Sequence, residues 1–176
     1  VTLPRAALLR IAAVLEAPVR AIATVLIGLV VLVVCGEFAV VVLRYGWQYT
    51  PAWLREGVLA LNGAVFLLGM AWALQRDEHV RVDVWSRRLR PRTRAAIELC
   101  GMLLAVLPFA IFVLAVSADY VWRSYAMGER SGEPGGLPMI WLQKALIPTM
   151  GLLLAIQALA CALRALARVV EPDTPR

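Results

Sequence analysis

Histidine occurs once in this 176-residue chain, at His79, and cysteine three times, at Cys35, Cys100 and Cys161. A membrane haem held by two histidines needs two imidazoles, so that class is excluded unless other axial ligands substitute. A histidine-rich metal site is excluded by the same count. The cysteines stand singly in apolar sequence without Cys-x-x-Cys spacing. That argues against a disulfide framework or a zinc knuckle and for small lipid-facing or packing residues. No Gly-rich phosphate loop, nucleophile–base pair or paired carboxylate can be read from the chain, so neither catalysis nor a cofactor is expected. Charge is scarce too, at 17% of residues. It lies mostly outside four long apolar runs.

Those runs are roughly 21–43, 53–74, 95–122 and 139–163. A hydrocarbon core of ~30 Å needs ~20 mostly apolar residues as helix, and every run meets that length. The composition, 61% hydrophobic with a mean hydropathy of +0.76, agrees. The expectation is an all-α membrane protein with four transmembrane helices, forming one membrane domain over 1–176. The tails and loops are too short for a soluble domain with its own core. The first run is too long for the apolar region of a cleaved signal peptide and is read as a span.

Basic residues are unevenly shared. Arg5, Arg10 and Arg20 precede the first span, seven arginines crowd the 76–94 loop, and Arg164, Arg168 and Arg176 follow the last span. The other loops hold Arg44, Arg55, Arg123 and Arg130 beside Asp119, Glu129 and Glu133. The positive-inside rule then places both termini and the middle loop in the cytoplasm. An even number of spans requires the same. The net charge of +6 is thus topological bias plus attraction to anionic membrane lipids. Nucleic acid is not an expected partner, because the basic residues flank spans and no recognition module is present.

Two segments read as helices lying on the cytoplasmic interface. In 3–17, Leu8, Ile11, Ala12 and Leu15 share one face, and Pro18 separates this helix from the first span. In 80–90, Val80, Val84 and Trp85 face lipid while Arg81, Asp83, Arg87 and Arg88 face water; Pro91 ends it. Pro108 and Pro148 are expected to kink the third and fourth spans. Ala60, Ala64, Gly69 and Ala73 recur at helical spacing in the second span, which lets helix backbones approach in a membrane. Tyr45, Trp47, Tyr49 and Trp53 form an interface belt. The 128–138 segment, rich in Gly and Pro, reads as a structured external turn, with Glu129 and Glu133 as solvated charges.

Some polar residues fall inside spans. Glu37 lies in the outer part of the first, where ten Val, Leu or Ile residues between 21 and 36 outweigh one off-centre carboxylate costing at most ~3 kcal/mol. Lys144 sits at matching depth in the fourth, which leaves two readings open: a Glu37–Lys144 ion pair, or two side chains that each reach outward to the interface. Gln143, Lys144, Pro148 and Gln157 make the fourth span uncomfortable in lipid, and such groups usually face other helices. Asn62 invites the same reading. His79 and Asp83 stand four apart and can meet on one helix face.

Several groups of residues carry a family resemblance. Arg44-Tyr45 ends the first span, and Trp53 and Glu56 open the second, which continues through Leu68-Gly69-Met70-Ala71. Arg76-Asp77-Glu78-His79-Val80-Arg81-Val82-Asp83 follows. Farther on come Pro134-Gly135-Gly136-Leu137-Pro138, Trp141, Lys144-Ala145-Leu146-Ile147-Pro148 and Leu154-Ala155-Ile156-Gln157. Over about 37–164 the chain resembles the small membrane subunit (DctQ-like) of tripartite ATP-independent periplasmic (TRAP) transporters, and its last motifs resemble the mannitol/chloroaromatic-type branch. One departure is visible: many members open the second span with two acidic residues, where this chain has Arg55-Glu56.

The resemblance implies a multi-pass bacterial inner-membrane protein without catalytic activity. It would work with a large elevator-type membrane subunit that holds the solute and ion sites, and with a periplasmic solute-binding protein. Its implied role is a scaffold in the ion-driven uptake of organic acids or similar solutes. Candidate anchors and partner-interface residues are Glu37, Arg44, Glu56, His79, Arg81, Asp83 and Lys144. Candidate contacts for the binding protein are Glu129, Arg130 and Glu133. Two other classes compete. A membrane anchor of a redox complex, with quinone near the aromatic belts, is weakened by the single histidine. A stand-alone small transporter or channel is weakened by too few central polar groups to line a path and by the lack of an internal repeat.

Overall fold

A computed structural model describes residues 4–76 and 90–170. Helix α1 (Arg5–Leu15) follows Pro4 and joins α2 (Ala17–Trp47) through Glu16 alone. Pro18 is accommodated in the first turn of α2, where a missing N–H leaves no bond unmade. Gln48, left-handed at φ 57°, ends α2, and Pro51 precedes α3 (Ala52–Gln75). After the undescribed segment, α4 (Pro91–Gly101) runs through a π-helical stretch (Met102–Val106) into α5 (Leu107–Ala126). The last helix is α6 (Ile140–Val169). The protein is all-α, and four of its helical runs are long and apolar enough to cross a membrane.

The prolines act differently. Proline cannot donate to the carbonyl four residues back, and its ring crowds that carbonyl. In the third span the backbone widens just before Pro108: the Leu107 N–H bonds to the Met102 carbonyl, five residues back. Such a π segment is a known cause of helix bending. Pro148 instead lies within an uninterrupted α6. Thr149 donates its hydroxyl to the Ala145 carbonyl at 2.7 Å, so it adds no unmet polar group to lipid.

The helices stand side by side in the order α2, α3, α6, α5. Helix α2 packs on α3, α3 on α6, and α6 on α5, while α2 only grazes α6. Of the most apolar window in each span, 44% is buried in α6 against 11% in the first and third spans. The last helix is therefore the centre, and α2 and α5 are edges. Its small residues explain why: Gly151, Ala158, Ala160, Ala162, Ala165 and Ala167 are all buried and let neighbours approach closely. At Gly151 a Cβ would lie 3.1 Å from both the Ala110 carbonyl oxygen and the Leu114 nitrogen of α5. On α2, a Cβ at Gly36 would lie 2.5 Å from Val58 Cγ2 of α3.

Charges pin the end of the molecule where α1, α4 and the C-terminal turns of α6 meet. Arg164 donates to the buried Glu16 carboxylate, and Arg168 donates to Glu98 at 3.1 and 3.4 Å. Arg168 lies in the last turn of α6, near the negative end of the helix dipole, a favourable place for a cation. The predicted apolar face of the first helix is divided: Leu8 and Ala12 are buried, whereas Ile11 is 43% exposed. Helix α1 packs along α6, so part of the face assigned to lipid is turned to protein. Most of the predicted 80–90 helix lies outside the described residues.

Packing at Gly151 is testable. Gly151→Leu should destabilise the protein by ~1–3 kcal/mol through overpacking against the α5 backbone. Gly63→Ala, where a Cβ meets nothing within 4 Å, should be neutral or stabilising by up to ~1 kcal/mol. Thermal unfolding in detergent reads both; equal effects would contradict the assigned contact.

Candidate functional site: a clasped loop

The segment 127–139 connects the two most closely packed helices, α5 and α6, and folds back over the start of α3. Its backbone turns need glycine: Gly128 and Gly135 take φ of +58° and +75°. The Ser131 N–H bonds to the Leu137 carbonyl at 3.0 Å, and the Gly136 N–H bonds to the Glu133 carbonyl at 3.0 Å. These bonds shape the loop, and side chains from three helices then hold it.

Glu56, one turn into α3, accepts the Leu137 N–H at 2.7 Å and the Ser131 hydroxyl. One carboxylate thus closes the loop onto the second span. Charge-assisted bonds of this kind are stronger than neutral ones. Gly136 lies so near that a Cβ there would sit 2.5 Å from Ser131 Cβ and 2.8 Å from Glu56 Oε2. Arg55, beside Glu56, pairs with Glu133 of the loop. Both members of that pair are about half exposed, which limits its energetic weight.

The second half of the clasp ties the loop to α5 and α6. Glu129 Oε2 accepts from Lys144 Nζ at 2.5 Å and from the Ser124 hydroxyl at 2.5 Å. Lys144 Nζ also lies 4.1 Å from the Tyr120 ring centroid, a cation–π distance. The Lys144 hydrogen bond, then that of Ser124, holds the Glu129 carboxyl below its ordinary value of 4.5. A carboxyl whose folded pKa is lowered contributes its stabilisation above the unfolded pKa and loses it as pH falls through the folded value. The Glu129–Lys144 contact therefore keeps its charge at neutral pH and weakens as pH falls through the lowered Glu129 value. Nearby, Trp141 meets Tyr125 edge-on at 5.3 Å between centroids.

An apolar cleft of about 720 Å³ lies beside the clasp, between α2, α3 and the start of α6. Leu137 and Pro138 contribute its loop wall, and Gln143 is its polar member. Among the described residues no three His, Cys, Asp or Glu side chains gather to hold a metal ion.

The structure corrects two sequence expectations. Lys144 pairs with Glu129 rather than with Glu37. Helix α3 stands between α2 and the α5–α6 seam, so matching depth did not bring the two residues together. Glu37 is exposed and has no hydrogen bond or ion pair among the described residues. Glu129 and Glu133, read as solvated charges, are the loop's side of the clasp. Arg130 is exposed at the tip, and Arg44 is exposed at the end of α2. His79, Arg81 and Asp83 lie outside the described residues. Gln157, expected to face a helix, is fully buried and donates to Cys161 Sγ at 3.4 Å.

Other contributors were not singled out from the sequence. Ser124 and Ser131 carry no mark in the sequence, and Gly136 was read only as part of the Pro134–Pro138 motif. The Glu16–Arg164 and Glu98–Arg168 pairs join distant segments. Arg164 and Arg168 were read only as basic residues that follow the fourth span.

Removing the Glu56 carboxylate should open the loop. Glu56→Ala should speed hydrogen exchange at the Leu137 amide at least about tenfold, and Glu56→Gln, which keeps an acceptor, far less. Mass-spectrometric exchange at neutral pH reads this, and unchanged Leu137 protection in Glu56→Ala would contradict the clasp.

Among curated proteins and solved structures, none shows significant similarity to the chain. The family model described as "Tripartite ATP-independent periplasmic transporters, DctQ component" matches residues 33–168, from the second half of α2 to the last turn of α6. That match spans well over half of the sequence, and the chain belongs to the DctQ family, the small membrane component of TRAP transporters.

Proposed function

We propose that this protein is the static scaffold of a TRAP transporter in the bacterial inner membrane, with both termini in the cytoplasm. It braces a large elevator-type subunit during the uptake of organic acids or similar solutes driven by an ion gradient. The observation that carries this reading is the row of helices. Two edge helices stand apart, with only 11% of each apolar window buried within the chain. A moving transport bundle needs a reference that does not move with it. A wide row held by ion pairs at one end and a clasped loop at the other resists tilting better than one flexible anchor.

The fixed polar groups support the same reading over a stand-alone transporter. Lys144 is committed to Glu129 and Tyr120, and Gln157 is fully buried between helices. Neither faces an aqueous path.

For the periplasmic binding protein, the proposed contact is the clasped loop. Arg130 is its exposed cation, Glu133 is half exposed beside Arg55, and Glu129 acts through loop shape. A loop ordered in advance loses less conformational entropy on docking. His79, Arg81 and Asp83 are proposed as anchors at the cytoplasmic surface.

Co-purification tests the scaffold reading. From native membranes in mild detergent, a C-terminally tagged chain should bring down a much larger polytopic protein in stoichiometric amount, without a haem absorbance band. Recovery of a haem or flavin protein instead would favour a redox anchor, and recovery of the chain alone would remove the scaffold role.

A further inference from the structure

Helix α2 has one face turned to protein and another that answers to nothing in the chain. Leu26, Gly36 and Val40 lie on the packed face, with Leu26 against Gly69 and Gly36 against Val58 of α3. A neighbouring stripe at helical spacing runs through Val30, Val34, Glu37, Val41 and Arg44. Val30, Val34 and Val41 are 45%, 63% and 49% exposed, and Glu37 and Arg44 are exposed with them.

Both charges are without an ion pair among the described residues. Seven residues apart, they fall within about 20° of each other around the helix. Glu37 lies six residues inside the apolar boundary at Leu43, about 9 Å along the axis. Its short side chain cannot cover that distance to water as a lysine or arginine stem does. An ionised carboxylate in this position faces hydrocarbon unless another molecule supplies a donor, and intramembrane charges usually face a protein partner. Another span charge, Lys144, already has such a partner in Glu129.

Resting on the scaffold reading above, we propose that the Val34–Glu37–Val41–Arg44 face of α2 docks on the large membrane subunit. Glu37 accepts hydrogen bonds from a lysine or arginine that the partner carries at the same depth. Arg44, near the membrane edge, meets a carboxylate of the partner. The valines between them supply a smooth apolar surface for the opposing helix. The two charges, opposite in sign and fixed in order, also set the register of the contact, a role that polar pairs fill in helix assemblies.

The test uses the full complex in native membranes. A photo-cross-linking benzoylphenylalanine is placed singly at Val34 or Val41, and as controls at Phe112 or Val116, which are 65% and 58% exposed on α5. Mass spectrometry identifies the products. Val34 and Val41 should cross-link to the large polytopic chain, and the α5 positions should not. In parallel, Glu37→Arg should lower the partner recovered per inserted chain at least about tenfold, with Glu37→Gln in between. Cross-links from the α5 positions alone or equally from both faces, or undiminished recovery with Glu37→Arg, would overturn the docking face while leaving the scaffold reading intact. A wild-type chain that recovers no large partner would overturn the scaffold reading and this proposal with it.

Discussion

Hydrocarbon offers no hydrogen bonds, so each polar side chain that enters it must find its partner in protein. In this chain most of that demand falls on one helix. Helix α6 carries Lys144, Arg164 and Arg168, and its neighbours are held where they can answer: Glu129 from the loop, Glu16 from the α1–α2 junction and Glu98 from α4. The same helix is lined with glycine and alanine, so the partners' backbones come close enough for short side chains to reach. Polar satisfaction and close packing are two consequences of one placement.

The row of helices follows from this. A helix with small residues along its length can hold α3 and α5 at once. The bulkier α2 finds its own seat on α3, where Gly36 receives Val58. A closed bundle would bring α2 against α5, but the valines, leucines and phenylalanines of those two helices remain outward. In water such surfaces would aggregate; in a membrane they are available to lipid or a partner subunit. The clasp on the loop serves the same economy, since a Gly- and Pro-rich segment would otherwise be loose. Glu56 and Glu129 hold it with few residues.

The four spans and the all-helical class were legible in the sequence because twenty apolar residues in succession have few other solutions. Membership in the family was legible from local motifs that lie largely within one segment each. The ion pairs were not. Depth along a span can be read from residue counts, and on depth alone Glu37 and Lys144 match. Which helices are neighbours is set by Gly151 against α5 and Gly36 against α3, and these contacts leave no mark in hydropathy. The true partner of Lys144 lay fifteen residues away, in a loop where acidic residues ordinarily face water. Glu56 was picked out as an anchor, yet its two bonds to the loop depend on a turn geometry that only the folded segment reveals. Pro108 and Pro148 looked equivalent in sequence. The π segment before Pro108 distinguishes them.

Helices α6 and α3 stand between the two edge helices. Spin labels at Val34 on α2 and Phe112 on α5, in a variant whose native cysteines are replaced and which is held in lipid nanodiscs, measure this directly by dipolar spectroscopy. With neighbouring axes about 8–10 Å apart, two intervening helices predict a distance of about 20 Å or more. A distance near the ~10 Å of directly packed helices would mean a closed bundle, and the account of α6 as the centre of an open row would be wrong.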